Sequence, residues 1–228
     1  MLLYALTIFI SAFLLFQVQP IIAKLILPWF GGTAAVWTTC LLFFQVVLLA
    51  GYLYAHGVIR RLTPRRQAML HVALLVASLL LLPITPREGW KPHGSEDPSF
   101  LILGLLAASI GWPYFLLSTT GPLAQAWYAR TYRGAIPYRL FALSNAGSLL
   151  ALLSYPVLVE PFLSNHSQTQ WWSLGYLAFV SLCGAVAWRS NRSGDREPQQ
   201  AAAFAAQEAP PHWSAQLLWL ALPACAST

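Results

Sequence analysis

The sequence predicts an all-α, polytopic transmembrane helix bundle, on three observations. Hydrophobic residues make up 57% of the chain and charged residues 9%, against about 25% charged in a soluble globular domain. Apolar runs close to the ~20 residues that a helix needs to cross the hydrocarbon core recur along all 228 residues. Tryptophan and tyrosine are abundant, as in chains that rest aromatic rings at headgroup level. Together these predict six complete spans and the start of a seventh. The bundle occupies residues 1–188, a flexible linker 189–212, and a truncated seventh span 213–228.

No Lys or Arg precedes the first apolar run and no convincing small-residue cleavage site follows it, so that segment is expected to stay as a helix. It covers residues 2–28 and turns through "PWFGG" into a second span over 34–58. The basic loop "RRLTPRRQ" leads to a third span over 67–84, and the polar loop "TPREGWKPHGSEDP" to a long fourth over 99–128. That fourth segment holds "SIGWPYF" and "STTGPLAQ". A proline inside a span frees backbone carbonyls that neighbouring groups must satisfy. The segment therefore reads as a long tilted helix kinked at Pro113 and Pro122, or as a broken helix of the kind that surrounds transporter sites. After "RTYRGAIPYR" come a fifth span over 140–162 and a sixth over 171–188. The stretch "RSNRSGDREPQQAAAFAAQEAPP" has the polar, Ala- and Pro-rich composition of a linker. The apolar segment from Trp213 to Thr228 is too short for a full span, so the chain is expected to be the N-terminal part of something longer.

Basic residues near spans stay cytoplasmic. Arg60, Arg61, Arg65, Arg66, Arg130, Arg133, Arg139, Arg189, Arg192 and Arg196 fall on one side of this topology, against Arg87 and Lys91 on the other. The N-terminus is therefore expected in the cytoplasm and "PWFGG" on the outer face. Topology accounts for the net charge of +6, which calls for no nucleic-acid partner; the partner it does imply is the lipid bilayer.

Polar groups inside spans are costly and face protein or water-filled space. Gln17 and Lys24, seven residues apart, share a face of the first helix, with Pro20 between them loosening the backbone. Lys24 lies one turn before Pro28, where a long side chain can snorkel to the headgroups. Glu160 is the acid inside a predicted span and sits at matching depth near the outer end of the fifth. The two are expected to pair or to face one polar cavity. In the fifth span Ser144 and Ser148, and Gly147 and Ala151, form small-residue surfaces suited to close helix approach. Asn145 is expected to hydrogen-bond across an interface. Lys24, Glu160, Gln17 and Asn145 are the candidate substrate-binding or polar-pathway residues. Their face is either a packing seam or one wall of a pocket.

The chain carries no HExxH, Walker A or GxGxxG pattern, and "GSLL" at Gly147 lacks the second glycine of a GxSxG-type nucleophile motif. Cys40, Cys183 and Cys225 are isolated, and the histidines are scattered. His93 with Glu96 and Asp97 could touch a metal but reads as a solvated loop. Neither catalytic residues nor a cofactor or metal are expected of this chain.

The strings "FLLFQVQPIIAKLILPWFGGTAAVWTTCLLFFQVVLLAGYLYAH", "SIGWPYFLLSTTGPLAQAWY" and "PYRLFALSNAGSLLALLSYPVLVEP", with Gln170-Trp171, carry a family resemblance. Over nearly its whole length the chain resembles the membrane-embedded N-terminal half of bacterial fused spermidine synthase-like membrane proteins, which are sometimes labelled permeases. The resemblance implies an inner-membrane location and a missing C-terminal synthase-like domain in cis, with a Rossmann-like fold that binds a decarboxylated S-adenosylmethionine-type nucleoside and a polyamine. None of that domain's motifs is present here. The function it implies is anchoring, with handling of a polyamine-like small molecule. The alternatives are a self-standing permease and a purely structural assembly partner.

Overall fold

In a computed structural model of the chain, the described residues are 1–92, 98–132 and 138–193. The chain divides into two units, Met1–Gly194 and Asp195–Thr228, and the account below concerns the first. His93, Glu96 and Asp97, Arg133, most of the 189–212 linker and the whole 213–228 segment, with Cys225, lie outside the described residues.

The described residues form helices and no strand. Helix α1 runs Leu2–Phe30 and ends where Gly31 adopts φ 80°, a conformation that favours glycine, with its amide still bonded to the Leu27 carbonyl at 2.8 Å. Helix α2 runs Ala34–Arg61. It stops because Thr63, preceding Pro64, is pushed into an extended conformation (φ −66°, ψ 152°). Pro64 then opens α3, Pro64–Ser78, at a position where its missing N–H costs nothing. Helix α4 spans Pro98–Thr131, α5 Tyr138–Phe162, and α6 Asn165–Ser193. The Ser164 hydroxyl caps α6 by accepting the Ser167 amide at 3.2 Å.

Five of these helices (α1, α2, α4, α5 and α6) are long and apolar enough to cross a membrane. The expected third span over 67–84 takes another form. Its α-helix ends at Ser78 and tightens into a 3-10 turn at Leu79–Leu81. Fifteen helical residues rise about 22 Å, short of a hydrocarbon core of about 30 Å. The physical reason is Pro83, which offers no amide and holds Leu82 extended (φ −86°, ψ 148°).

The fourth predicted span is continuous rather than broken. It widens into a π-turn at Ala107–Gly111, directly before Trp112-Pro113, and passes Pro122 as regular helix. A second π-turn, Tyr155–Val159, surrounds Pro156 in α5. In both places a proline has removed a regular backbone bond, and the wider turn accommodates the ring.

Helix α1 is the axis of the unit. It packs against α4, α5 and α6, while α2 packs on α4 and α3 on α6. Its buried residues, from Tyr4 through Ile8, Leu15, Val18 and Ile22 to Ile26, go most of the way around the helix, as expected of a helix enclosed by others. Two glycines permit the closest approaches. A Cβ on Gly147 of α5 would lie 2.8 Å from the Phe9 carbonyl oxygen of α1, and one on Gly51 of α2 would collide with the Ser118 side chain of α4. Ala151, fully buried one turn beyond Gly147, continues the small surface against α1. Of the predicted small-residue surfaces this is the buried one. Ser144 and Ser148 are half-buried, and the Ser148 hydroxyl bonds back to the Ser144 carbonyl at 3.0 Å.

The Gly147 approach is against backbone, which cannot swing aside. Gly147→Val is therefore expected to cost about 1–3 kcal/mol by overpacking and to lower the melting temperature of the detergent-solubilised protein. Gly184→Ala, where nothing lies within 4 Å, is expected to leave it unchanged or higher. Equal melting temperatures for Gly147→Val and the unaltered chain would contradict this packing.

Candidate functional site

The two ends of the bundle differ in charge. At one end the Met1 amino group donates to the Tyr132 hydroxyl at 2.8 Å. Tyr4 meets the Thr131 hydroxyl at 3.0 Å and lies edge-on to Tyr128 and Tyr132. Arg189 shares a pocket of about 360 Å³ there with Met1 and Tyr4. The α2–α3 corner, with Arg60, Arg61, Arg65 and Arg66, is tied to the same end through Gln67 and Arg130. At the opposite end Lys91 lies 5.3 Å above the Trp29 ring and 2.8 Å from Glu88. That ammonium holds the exposed Glu88 carboxyl below the usual carboxylate range.

Lys24 and Glu160 meet at this Trp29 end. Helix α1 carries Lys24 one turn before Pro28. Helix α5 carries Glu160 just past its π-turn, and Lys24 Nζ lies 3.1 Å from Glu160 Oε1. Their side chains are 34% and 46% exposed, so the pair joins α1 to α5 at the rim of the bundle rather than in its interior. Exposed ion pairs are worth about 0–1 kcal/mol in water, and a pair at a lipid boundary is screened less.

The other two candidates lie elsewhere. Gln17 is buried on α1, about 10 Å along the helix from Lys24, and its Oε1 has no hydrogen-bond partner. Its neighbour Gln19 makes the interhelical contact, donating to the Tyr114 hydroxyl of α4 at 3.2 Å. Asn145 is exposed on α5, about 22 Å along that helix from Glu160. The four residues thus form one pair and two isolated positions, because α5 turns Gly147 and Ala151 toward α1 and so turns Asn145 away.

A polar seam that sequence reading missed runs along α3. Gln67, His71 and Ser78 are each fully buried; their spacing of four and seven keeps them within one face of a helix. Met69, Val76 and Leu80 face outward. The seam reaches three neighbours. Gln67 Nε2 donates to the carbonyls of Leu62 (2.7 Å) and Ile59 (3.3 Å), closing the α2–α3 corner. Gln67 Oε1 accepts Arg130 Nη1 at 2.9 Å and Trp127 Nε1 at 3.3 Å from α4. The Ser78 hydroxyl pairs with the Tyr176 hydroxyl of α6 at 2.8 Å. Between these ends, both ring nitrogens of His71 are buried without a partner, as is the Tyr54 hydroxyl, the two rings lying 6.4 Å apart. A polar face turned inward and an apolar face turned outward was the available signal. Composition masks it, because a single histidine in an apolar run carries no direction around the helix.

Among the described residues no group of three or more His, Cys, Asp or Glu could hold a metal ion. Cys40 and Cys183 are free and buried. Chemically, the arrangement offers a rim ion pair, a hydrogen-bonded helical seam and three unpaired polar side chains inside the bundle. No family model matches the chain, and no curated protein or solved structure matches it.

A double-mutant cycle on the rim pair is expected to give a coupling of about 1 kcal/mol. Lys24→Ala and Glu160→Ala should each lower thermal stability in lipid nanodiscs by more than the double variant does, because either single change strands a charge at the lipid boundary. Strictly additive losses would mean that the pair contributes nothing.

Proposed function

We propose that the chain is the membrane-embedded domain of a spermidine synthase-like, polyamine-related protein of the bacterial inner membrane, anchoring a synthase-like domain in cis. The observation that carries this reading is the enclosure of α1. Two of its interhelical hydrogen bonds run from side chain to backbone, Ser11 to the Leu117 carbonyl (3.0 Å) and Trp172 Nε1 to the Leu14 carbonyl (2.9 Å). Such bonds suit a stiff support better than a path that opens and closes. The charge asymmetry supports an orientation with the N-terminus and the arginine-rich end in the cytoplasm. That orientation requires α3 and the chain after it, from the Arg61 corner to Lys91 beside Trp29, to serve as a sixth crossing.

A specific observation favours the second reading, a small-molecule permease. Gln17 Oε1, the Tyr54 hydroxyl and both His71 nitrogens are buried and unpaired. Buried polar groups are normally satisfied, and a polyamine-like substrate carries the donors to satisfy them.

Two measurements test these readings. In spheroplasts, a membrane-impermeant maleimide is expected to label Gly89→Cys and to leave Thr63→Cys unlabelled until lysis; the reverse pattern would overturn the orientation. In proteoliposomes of the purified chain, the anchor reading expects no uptake of radiolabelled spermidine or putrescine above protein-free vesicles. Uptake that saturates and falls at least tenfold in His71→Phe would replace the anchor with the permease.

A further inference from the structure

The arginine-rich end of α2 carries a feature that neither anchoring nor transport requires. His56, Gly57, Arg60 and Arg61 line a pocket of about 390 Å³. His56 and Arg60, four residues apart, share one line of the last two helical turns, and Gly57 and Arg61, about 100° round the helix, border the pocket from its side. Followed back along α2, the same stripe is apolar and exposed, through Leu53, Leu49, Val46 and Leu42. At about 100° per residue, positions 42, 46, 49, 53, 56 and 60 stay within about 40° of one line. The apolar part covers about 16 Å along the axis, close to the depth of one bilayer leaflet, about 15 Å. A cationic head above a leaflet-long apolar track has the shape of a phospholipid's complement.

The charge balance points the same way. Glu88 and Glu160, the acids among the described residues, are each already paired at the Trp29 end. Arg60 and Arg61 sit in the last turn of α2, with Arg65 and Arg66 exposed just beyond. The helix C-terminus contributes about half a negative charge, which two adjacent guanidiniums outweigh. Guanidinium binds phosphate oxygens bidentately, and basic pockets between or beside spans take anionic lipid headgroups in general.

The geometry points to a binding site for an anionic phospholipid on the exposed side of α2, at its arginine-rich end. Its phosphate is held by Arg60, Arg61 and His56, and one acyl chain lies along Leu53, Leu49, Val46 and Leu42. The occupant is a lipid rather than free phosphate because the apolar track is continuous with the cationic pocket.

The test is native mass spectrometry of the purified full chain, released from detergent with phosphatidylglycerol or phosphatidylcholine added. Phosphatidylglycerol is expected to be retained over phosphatidylcholine. Losing each guanidinium should weaken retention roughly 5-fold, so R60Q/R61Q should weaken it about 25-fold, while R65Q/R66Q has a smaller effect. Circular dichroism of each variant checks that its helix content is intact, and all of these positions are exposed, so folding is expected to survive. Equal retention of the two lipids, no effect of R60Q/R61Q, or an equal effect of R65Q/R66Q would each overturn the site. Full displacement of phosphatidylglycerol by millimolar inorganic phosphate would overturn the lipid assignment in favour of a free anion.

Discussion

Everything in this bundle depends on one helix being surrounded. In lipid no hydrophobic force drives helices together, because the surrounding tails are as apolar as leucine. Association rests instead on close packing and on hydrogen bonds that lipid cannot supply. Helix α1 provides both. Its backbone is approached by Gly147 of α5, where a Cβ would nearly touch the Phe9 carbonyl, and by Gly175 of α6, where one would lie 3.0 Å from Leu14 Cδ2. Its Leu14 carbonyl and Ser11 hydroxyl each bond a neighbouring helix. Helices α4, α5 and α6 are arranged around that surface, and α2 and α3 then attach to the shell so formed.

The fold was legible where burial in lipid writes itself into composition. The apolar runs locate α1, α2, α4 and α5 within about three residues, while α6 extends six residues before and five beyond the expected 171–188, and the small residues Gly147 and Ala151 mark the seam that meets α1. Depth counting brought Lys24 and Glu160 to one level, and the structure has them 3.1 Å apart. What escaped was whatever depends on direction around a helix. Asn145 was expected at an interface, but the close contact made by Gly147 fixes the rotation of α5 and turns Asn145 outward. The third segment reads as a full span because its apolar residues continue to Ile84. The effect of Pro83 on the chain before it is local and stereochemical, and hydropathy does not register it.

Helix α3 shows why its polar residues mattered more than its length. A short helix with apolar residues outside is held by what it turns inward, and α3 turns inward Gln67, His71 and Ser78 together with Ala68 and Leu75. Gln67 alone gathers the α2–α3 corner, Trp127 and Arg130. One amide therefore satisfies two carbonyls left open at the end of α2 and two donors at the end of α4. The same side chains read in a soluble protein would mark a solvent face; here the inversion of inside and outside identifies the packing surface.

The distribution of unpaired groups completes the physical picture. At the Trp29 end both described carboxylates have cationic partners within 3.1 Å, so that rim is electrically closed by its own side chains. At the other end, Arg130 has an amide for a partner and Arg60 and Arg61 line an open pocket. Charges of one sign gathered at a helix-bundle end repel one another, and a low-dielectric neighbourhood strengthens that repulsion. Packing cannot relieve it, since the helices are already fixed by the contacts around α1. Arg60, Arg61, Arg65 and Arg66 are exposed, so water and salt screen that repulsion, and an anion bound there would lower it further. One rim thus pairs its described charges internally, and the other carries exposed arginines of one sign.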